Sequence, residues 1–189
     1  MILPVVKYGH PVLRQKGAQI EKIDSQIESL IADMLDTMYK AAGIGLAAQQ
    51  VGQALQLTVL DVRAAKERPS TLEIAGQSAD VSAFMPLILI NPQIQPFGQP
   101  ASGPEGCLSF PEIYADIVRP ESVQVQALNP KGQPIEFKAG GLLARAVQHE
   151  VDHLNGILFI DRMASTEKSA LKPELDALQS ATKSALKKR

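Results

Sequence analysis

His149, Glu150 and His153 stand in the run His-Glu-Val-Asp-His, which on a helix puts two imidazoles one turn apart on the same face. Such a pair can hold one metal ion, and the glutamate between them remains free to act as general base on a water molecule. A hydrolytic metal ordinarily takes three protein ligands and keeps one position open, so a third donor is required. No histidine follows His153, and the two later glutamates, Glu167 and Glu174, sit on a polar tail. Upstream, the only cysteine of the chain, Cys107, follows Pro104-Glu105-Gly106 on a turn-like segment whose glycine allows close backbone approach. Taken alone, a single cysteine is most often a small buried apolar side chain. It is nevertheless the best candidate for the third ligand, and a Cys-His-His-water set by itself points to zinc.

The elements that must position these groups can be read from periodicity. Gly140-Gly141 breaks the chain before a helix over 142–154, which Asn155-Gly156 ends. On that helix Leu142, Ala146, His149 and His153 share a face, so Leu142 and Ala146 should form an apolar wall beside the metal, suited to an apolar substrate side chain. A first amphipathic helix is expected over 25–42, entered at Asp24 or Ser25 and ended at Gly43. Ile27, Leu30, Ile31, Met34, Leu35 and Met38 recur there at helical spacing, and Ser25 with Glu28 makes a capping-box pattern. Strands are expected over 55–62 and over 87–90, the latter stopped by Asn91-Pro92, with a weaker one over 114–119. Val123, Val125 and Ala127 alternate with glutamines, and Ile135, Phe137 and Ala139 alternate after the turn Asn129-Pro130-Lys131-Gly132, which predicts an antiparallel hairpin. Residues 64–84 show no period and read as an inserted surface loop. From Ser165 onward the chain is weakly helical, with Leu171, Leu175 and Leu178 on one stripe and a basic finish of Lys183, Lys187, Lys188 and Arg189.

Composition narrows the function classes. Of 189 residues, 45% are hydrophobic and 21% charged, which excludes a mainly disordered chain and fits one domain with a real core. The net charge of −1 gives no whole-surface reason to expect DNA or an acidic membrane as partner. The first 20 residues lack a basic segment followed by an apolar run, and no later stretch has eighteen consecutive apolar residues, so a cytoplasmic protein is expected. With a single cysteine, no intrachain disulfide can form.

Three segments together resemble the peptide deformylase family: Gly43-Ile44-Gly45-Leu46-Ala47-Ala48-Gln49-Gln50, Glu105-Gly106-Cys107-Leu108-Ser109 and Gln148-His149-Glu150-Val151-Asp152-His153. They occur in the family's order, and the helix before the first and the hairpin before the third are also similar, so the resemblance covers most of 1–163. It implies an α+β fold, with antiparallel β-sheets packed around a central helix that carries the HExxH metal motif. Residues 1–164 would be the catalytic domain and 165–189 a helical tail of the same domain. The implied reaction removes the formyl group from formyl-methionyl nascent peptides and releases formate. By the same resemblance Cys107, His149 and His153 bind one divalent metal, iron(II) in the family, with zinc, nickel or cobalt as other occupants. Glu150 is then the general base, the Gln50 side chain and the Leu108 backbone N–H face the reacting carbonyl, and Ile44 and Gly45 contact substrate. From their positions beside the motifs, Glu105 and Asp152 would orient ligands or loops, with Arg119 as a charge partner for Glu105, the other reading being an ordinary surface pair, and Tyr114 either borders the peptide groove or packs on a strand. The 64–84 segment is longer than the family's usual connection.

Two other readings lead to different experiments. An HExxH metallopeptidase would cleave internal amides by the same chemistry, although the upstream Cys107 argues against it. A metal-stabilised module docking on the ribosome through the basic tail would need no catalysis at all, yet structural metal sites usually carry four protein ligands.

Overall fold

Seven antiparallel strands form one sheet in the computed structural model, which describes residues 1–188; Arg189, the last residue of the basic finish, lies outside the described residues. In chain order the strands are β1 (Gly45–Ala47), β2 (Leu57–Leu60), β3 (Ser70–Ile74), β4 (Gln77–Ala79), β5 (Leu87–Cys107), β6 (Phe110–Leu128) and β7 (Pro134–Gly140). Across the sheet their order is β1-β2-β5-β6-β7-β3-β4. Four helices, α1 (Ser25–Lys40), α2 (Gly141–Leu154), α3 (Ser165–Ala170) and α4 (Lys172–Lys187), complete a mixed helix and antiparallel-sheet fold.

Helix α2 packs against the sheet. All of its residues except Gly141 and Arg145 are buried, which a one-sided amphipathic helix on a surface would not show. Leu143, Val147 and Val151 pack with Leu60, Leu89, Val123 and Val125 of the sheet. A second cluster joins Phe110, Ile117, Leu158 and Phe159, and α1 covers Leu57 and Val59 with Met34 and Met38.

The alternating residues pair as their spacing dictates: Val123 faces Ala139, Val125 faces Phe137 and Ala127 faces Ile135 across β6 and β7. Other expectations need correction. Asn91-Pro92 does not stop a strand, because a register shift between Ile90 and Gln93, with Asn91 at φ 51°, absorbs the proline, and β5 runs on to Cys107. The 114–119 segment is accordingly the middle of β6, paired along its length with β5. The 64–84 segment is not an irregular loop; it contains the β3–β4 hairpin, turned through Ala75 (φ 51°) and Gly76 (φ 76°), and β3 pairs with β7 to extend the sheet. That turn uses Ala-Gly where Asn-Gly would have announced it.

Helix α1 is capped by Asp24, whose carboxylate accepts from the Gln26 and Ile27 amides at 3.0 and 3.1 Å, rather than by a Ser25–Glu28 box. It closes at Lys40, short of Ala42, because Ala42 turns to φ 54°. Strand β2 is shorter than the expected 55–62. The tail forms two helices broken at Leu171 before Pro173; Leu175 is buried against the Phe110–Phe159 cluster, while Lys183, Lys187 and Lys188 are exposed. Among the described residues no helix is long and apolar enough to cross a membrane.

Candidate active site

The β5–β6 hairpin reaches its tip at Leu108-Ser109, and Cys107, paired with Phe110 across the turn, is the last residue of β5. The tip lies against α2, so Cys107 Sγ comes within 3.3 Å of His153 Nε2. Donor atoms of Cys107, His149 and His153 all lie within 4.8 Å of one another. Donors held 2.0–2.3 Å from one tetrahedral ion stand roughly 3.5 Å apart, so this cluster fits a shared ion.

The nitrogen available on His149 follows from its neighbour. Its Nδ1 stands 2.8 Å from Glu105 Oε1. A carboxylate only accepts, so Nδ1 carries the proton and Nε2 is the nitrogen left to face Cys107. Glu105 is in turn held by Arg119, through bonds of 2.6 and 2.9 Å, and by Arg145 at 2.9 Å. Arg119 also reaches Asp152 at 2.9 Å, and Arg162 grips the same Asp152 at 2.8 and 3.1 Å. Burial alone would raise the pKa of Glu105, but hydrogen bonds from His149 and Arg119 outweigh it and hold the carboxyl well below its usual range. Burial likewise opposes a charge on His149, yet Cys107 and Glu105 outweigh it and raise its pKa, whereas burial and the neighbouring His149 both lower that of His153.

Glu150 is 5% exposed, and burial pushes its carboxyl up to about 7, with His149 pulling the other way. Its Oε2 and the Nδ1 of His153 are buried without a hydrogen-bond partner among the described residues, so both retain capacity for something held in the site. The glycine at 45 is explained here: a Cβ there would stand 2.4 Å from Glu150 Oε1.

Gln50 sits in the short turn after β1. Its Oε1 accepts from the Ala47 amide at 2.9 Å, which turns the amide NH2 toward Cys107 Sγ (3.4 Å) and Ser109 Oγ (3.3 Å). A cleft of about 360 Å³ opens above these groups. Ile44, Gly45, Gln50, Cys107, Leu108, Leu142, Ala146, His149 and Glu150 all line it, and His153 lies deeper, 1% exposed. Tyr114 borders the same cleft with its ring over Gly106, where a Cβ would meet it at 2.6 Å.

Sequence reasoning missed Arg145, Arg162, Arg68 and Lys7. Arg145 had a signal, being the one charged residue on the first turns of an otherwise apolar helix, four positions before His149. The other three reach the site region across the fold and carry no local pattern. Arg68 bonds the Pro104 carbonyl at the cleft (3.2 Å), and Lys7 bonds the Leu108 carbonyl (2.7 Å).

The sequence profile described as polypeptide deformylase matches residues 2–169. A peptide deformylase of Methylacidiphilum infernorum is 46% identical over 179 residues, 95% of this chain and 94% of that one, and one of Opitutus terrae is 44% identical over 189 residues, 99% and 98%. Among solved structures, a plant peptide deformylase superposes with a TM-score of 0.82 at 37% identity, covering 97% of this chain and 92% of that one. The chain belongs to the polypeptide deformylase family.

Proposed function

We infer that the protein is a peptide deformylase, hydrolysing the formamide of formyl-methionyl nascent peptides to formate and a free methionine amine. The observation that supports this most directly is the meeting, at one cleft, of the Cys107–His149–His153 cluster, a buried Glu150 with an unpartnered oxygen, and the Gln50 amide. In this reading Cys107 Sγ and the two histidines hold one divalent ion, as the family does. Iron(II) is the ion the resemblance implies; the sulfur and nitrogen donors alone would favour zinc. When bound, the ion supplies Lewis acidity and makes water a nucleophile at neutral pH.

The chain's own groups do the rest. Glu150 takes a proton from the attacking water as its oxygen bonds to the formyl carbon. It then delivers that proton to the amine nitrogen as the C–N bond breaks. Negative charge developing on the formyl oxygen is met by the Gln50 amide and the Leu108 N–H, each donor contributing on the order of a hundredfold to turnover. Ile44 and Gly45 hold the peptide, and Leu142 with Ala146 accept the methionine side chain. Glu105, fixed by Arg119 and Arg145, sets the ring of His149, and Asp152 ties Arg119 to Arg162 behind it. Residues 1–164 form the catalytic unit, with 165–189 as its helical tail.

Formate release from formyl-Met-Ala-Ser, but not from its acetyl counterpart or from internal peptide bonds, tests the reading with metal content measured anaerobically. Glu150→Gln should keep the metal and lose at least about a hundredfold in turnover; full activity would reject the general base. Ribosome contact through the exposed Lys183, Lys187 and Lys188 is part of this proposal. Because Leu175 belongs to the core, charge reversal of those lysines is a cleaner test than truncation, and unchanged ribosome binding would dismiss it.

A further inference from the structure

Lys7 is half-buried and makes no ion pair with a carboxylate among the described residues; its ammonium donates instead to the Leu108 carbonyl at 2.7 Å. Burial lowers its pKa, and the charge of Cys107 acts against that. Its neighbours bind the same region. The Tyr8 amide donates to the Ser109 carbonyl at 2.9 Å, and the Tyr8 ring stacks on Phe110 with centroids 4.8 Å apart. On the other side, the Val6 amide donates to the Gln50 carbonyl at 2.9 Å. Three consecutive residues thus span the gap between the two segments that carry Gln50 and Leu108.

We propose that Lys7 is a positioning residue for the oxyanion donors, fixing the Cys107–Ser109 turn so that the Leu108 N–H faces the reacting carbonyl. The Lys7 bond immobilises the peptide plane after Leu108, and the Cys107–Phe110 pairing holds the ends of the turn. With both fixed, the plane before Leu108, which carries its N–H, has little rotational freedom. Among the described residues that N–H donates to no protein acceptor, so nothing else aims it. The Val6 and Tyr8 backbone bonds set the spacing of this turn from Gln50. A donor that acts on charge developing only in the transition state changes kcat more than KM.

This inference rests on the deformylase reading. Lys7→Met, close in shape but uncharged and without a donor, should lower kcat for formyl-Met-Ala-Ser about ten- to a hundredfold while KM stays within about twofold. In the metal-loaded protein the Leu108 amide resonance should shift, and Lys7→Arg should return kcat to within about threefold of the parent. An unchanged kcat in Lys7→Met, or a lowered kcat with an unmoved Leu108 amide, overturns the assignment. Should Lys7→Met fail to fold, the same readings on Lys7→Gln decide. A parent protein that releases no formate at all would instead reject the deformylase reading itself.

Discussion

Replacing Gly45 with alanine should disable the enzyme without disturbing its metal. The backbone at Gly45 lies outside the left-handed region, so alanine is allowed there, and β1 pairing with Leu60 can persist. The added Cβ, however, would stand 2.4 Å from Glu150 Oε1 and 2.9 Å from both Cγ and Cδ, whereas ordinary contact begins at 3.4 Å. The carboxylate must therefore retreat by about 1 Å, and a misplacement of that size costs about a hundredfold in rate. All three nearest atoms belong to Glu150, so the donors of Cys107, His149 and His153 stay where they are. Formate release under saturating formyl-Met-Ala-Ser, with metal stoichiometry and thermal midpoint measured on the same preparation, separates these effects. A Gly45→Ala protein that keeps its metal and turns over within threefold of the parent would refute the reasoning, since Glu150 would then not need its observed position.

Cys107→Ala removes the only thiol of the donor cluster and should reduce bound metal to well below one equivalent by elemental analysis; an unchanged metal content would show that the cysteine only fills space. Glu105→Gln should lower the urea stability of the metal-free protein at pH 7 by about 3 kcal/mol, because Arg119 and Arg145 lose a buried charged partner. The folded pKa of Glu105 is depressed, so its contribution is fully present above the unfolded value near 4.5 and is lost as pH falls toward the folded one. The gap between parent and Glu105→Gln should accordingly shrink below pH 4.5, and a gap that stays constant on acidification would refute this account.

What could be read in the sequence was what repeats or acts locally. Helix α2 was legible from its apolar spacing, the glycines before it and the Asn155-Gly156 stop; the β6–β7 hairpin was legible from alternation and a strong turn. The β3–β4 hairpin was hidden because its strands are short and its turn lacks asparagine. Asn91-Pro92 misled because a proline rule takes no account of a bulge that tertiary pairing can stabilise. At the site, the residues with local spacing, His149, Glu150 and His153, were visible directly, and Gln50 and Leu108 only through resemblance. The Glu105 cluster shows why the remainder was obscure. Arg119 could be named as its partner, but Arg145 reaches Glu105 across 40 positions and Lys7 reaches Leu108 across 101, separations at which sequence holds no periodic trace.

The hairpin tip that carries Cys107 also bears on when the chain can choose its metal. Under the proposed ligand set, the two histidines are four residues apart and can meet an ion as soon as one helical turn forms. The thiol is 46 positions from His153 and reaches it only when the tip of the β5–β6 hairpin docks on α2. Closing a contact over that separation costs more chain entropy than closing one helical turn. An ion that met the helix before the hairpin docked would be held by nitrogen alone, so the soft donor that discriminates among metals would be contributed by the completed fold and not by the motif.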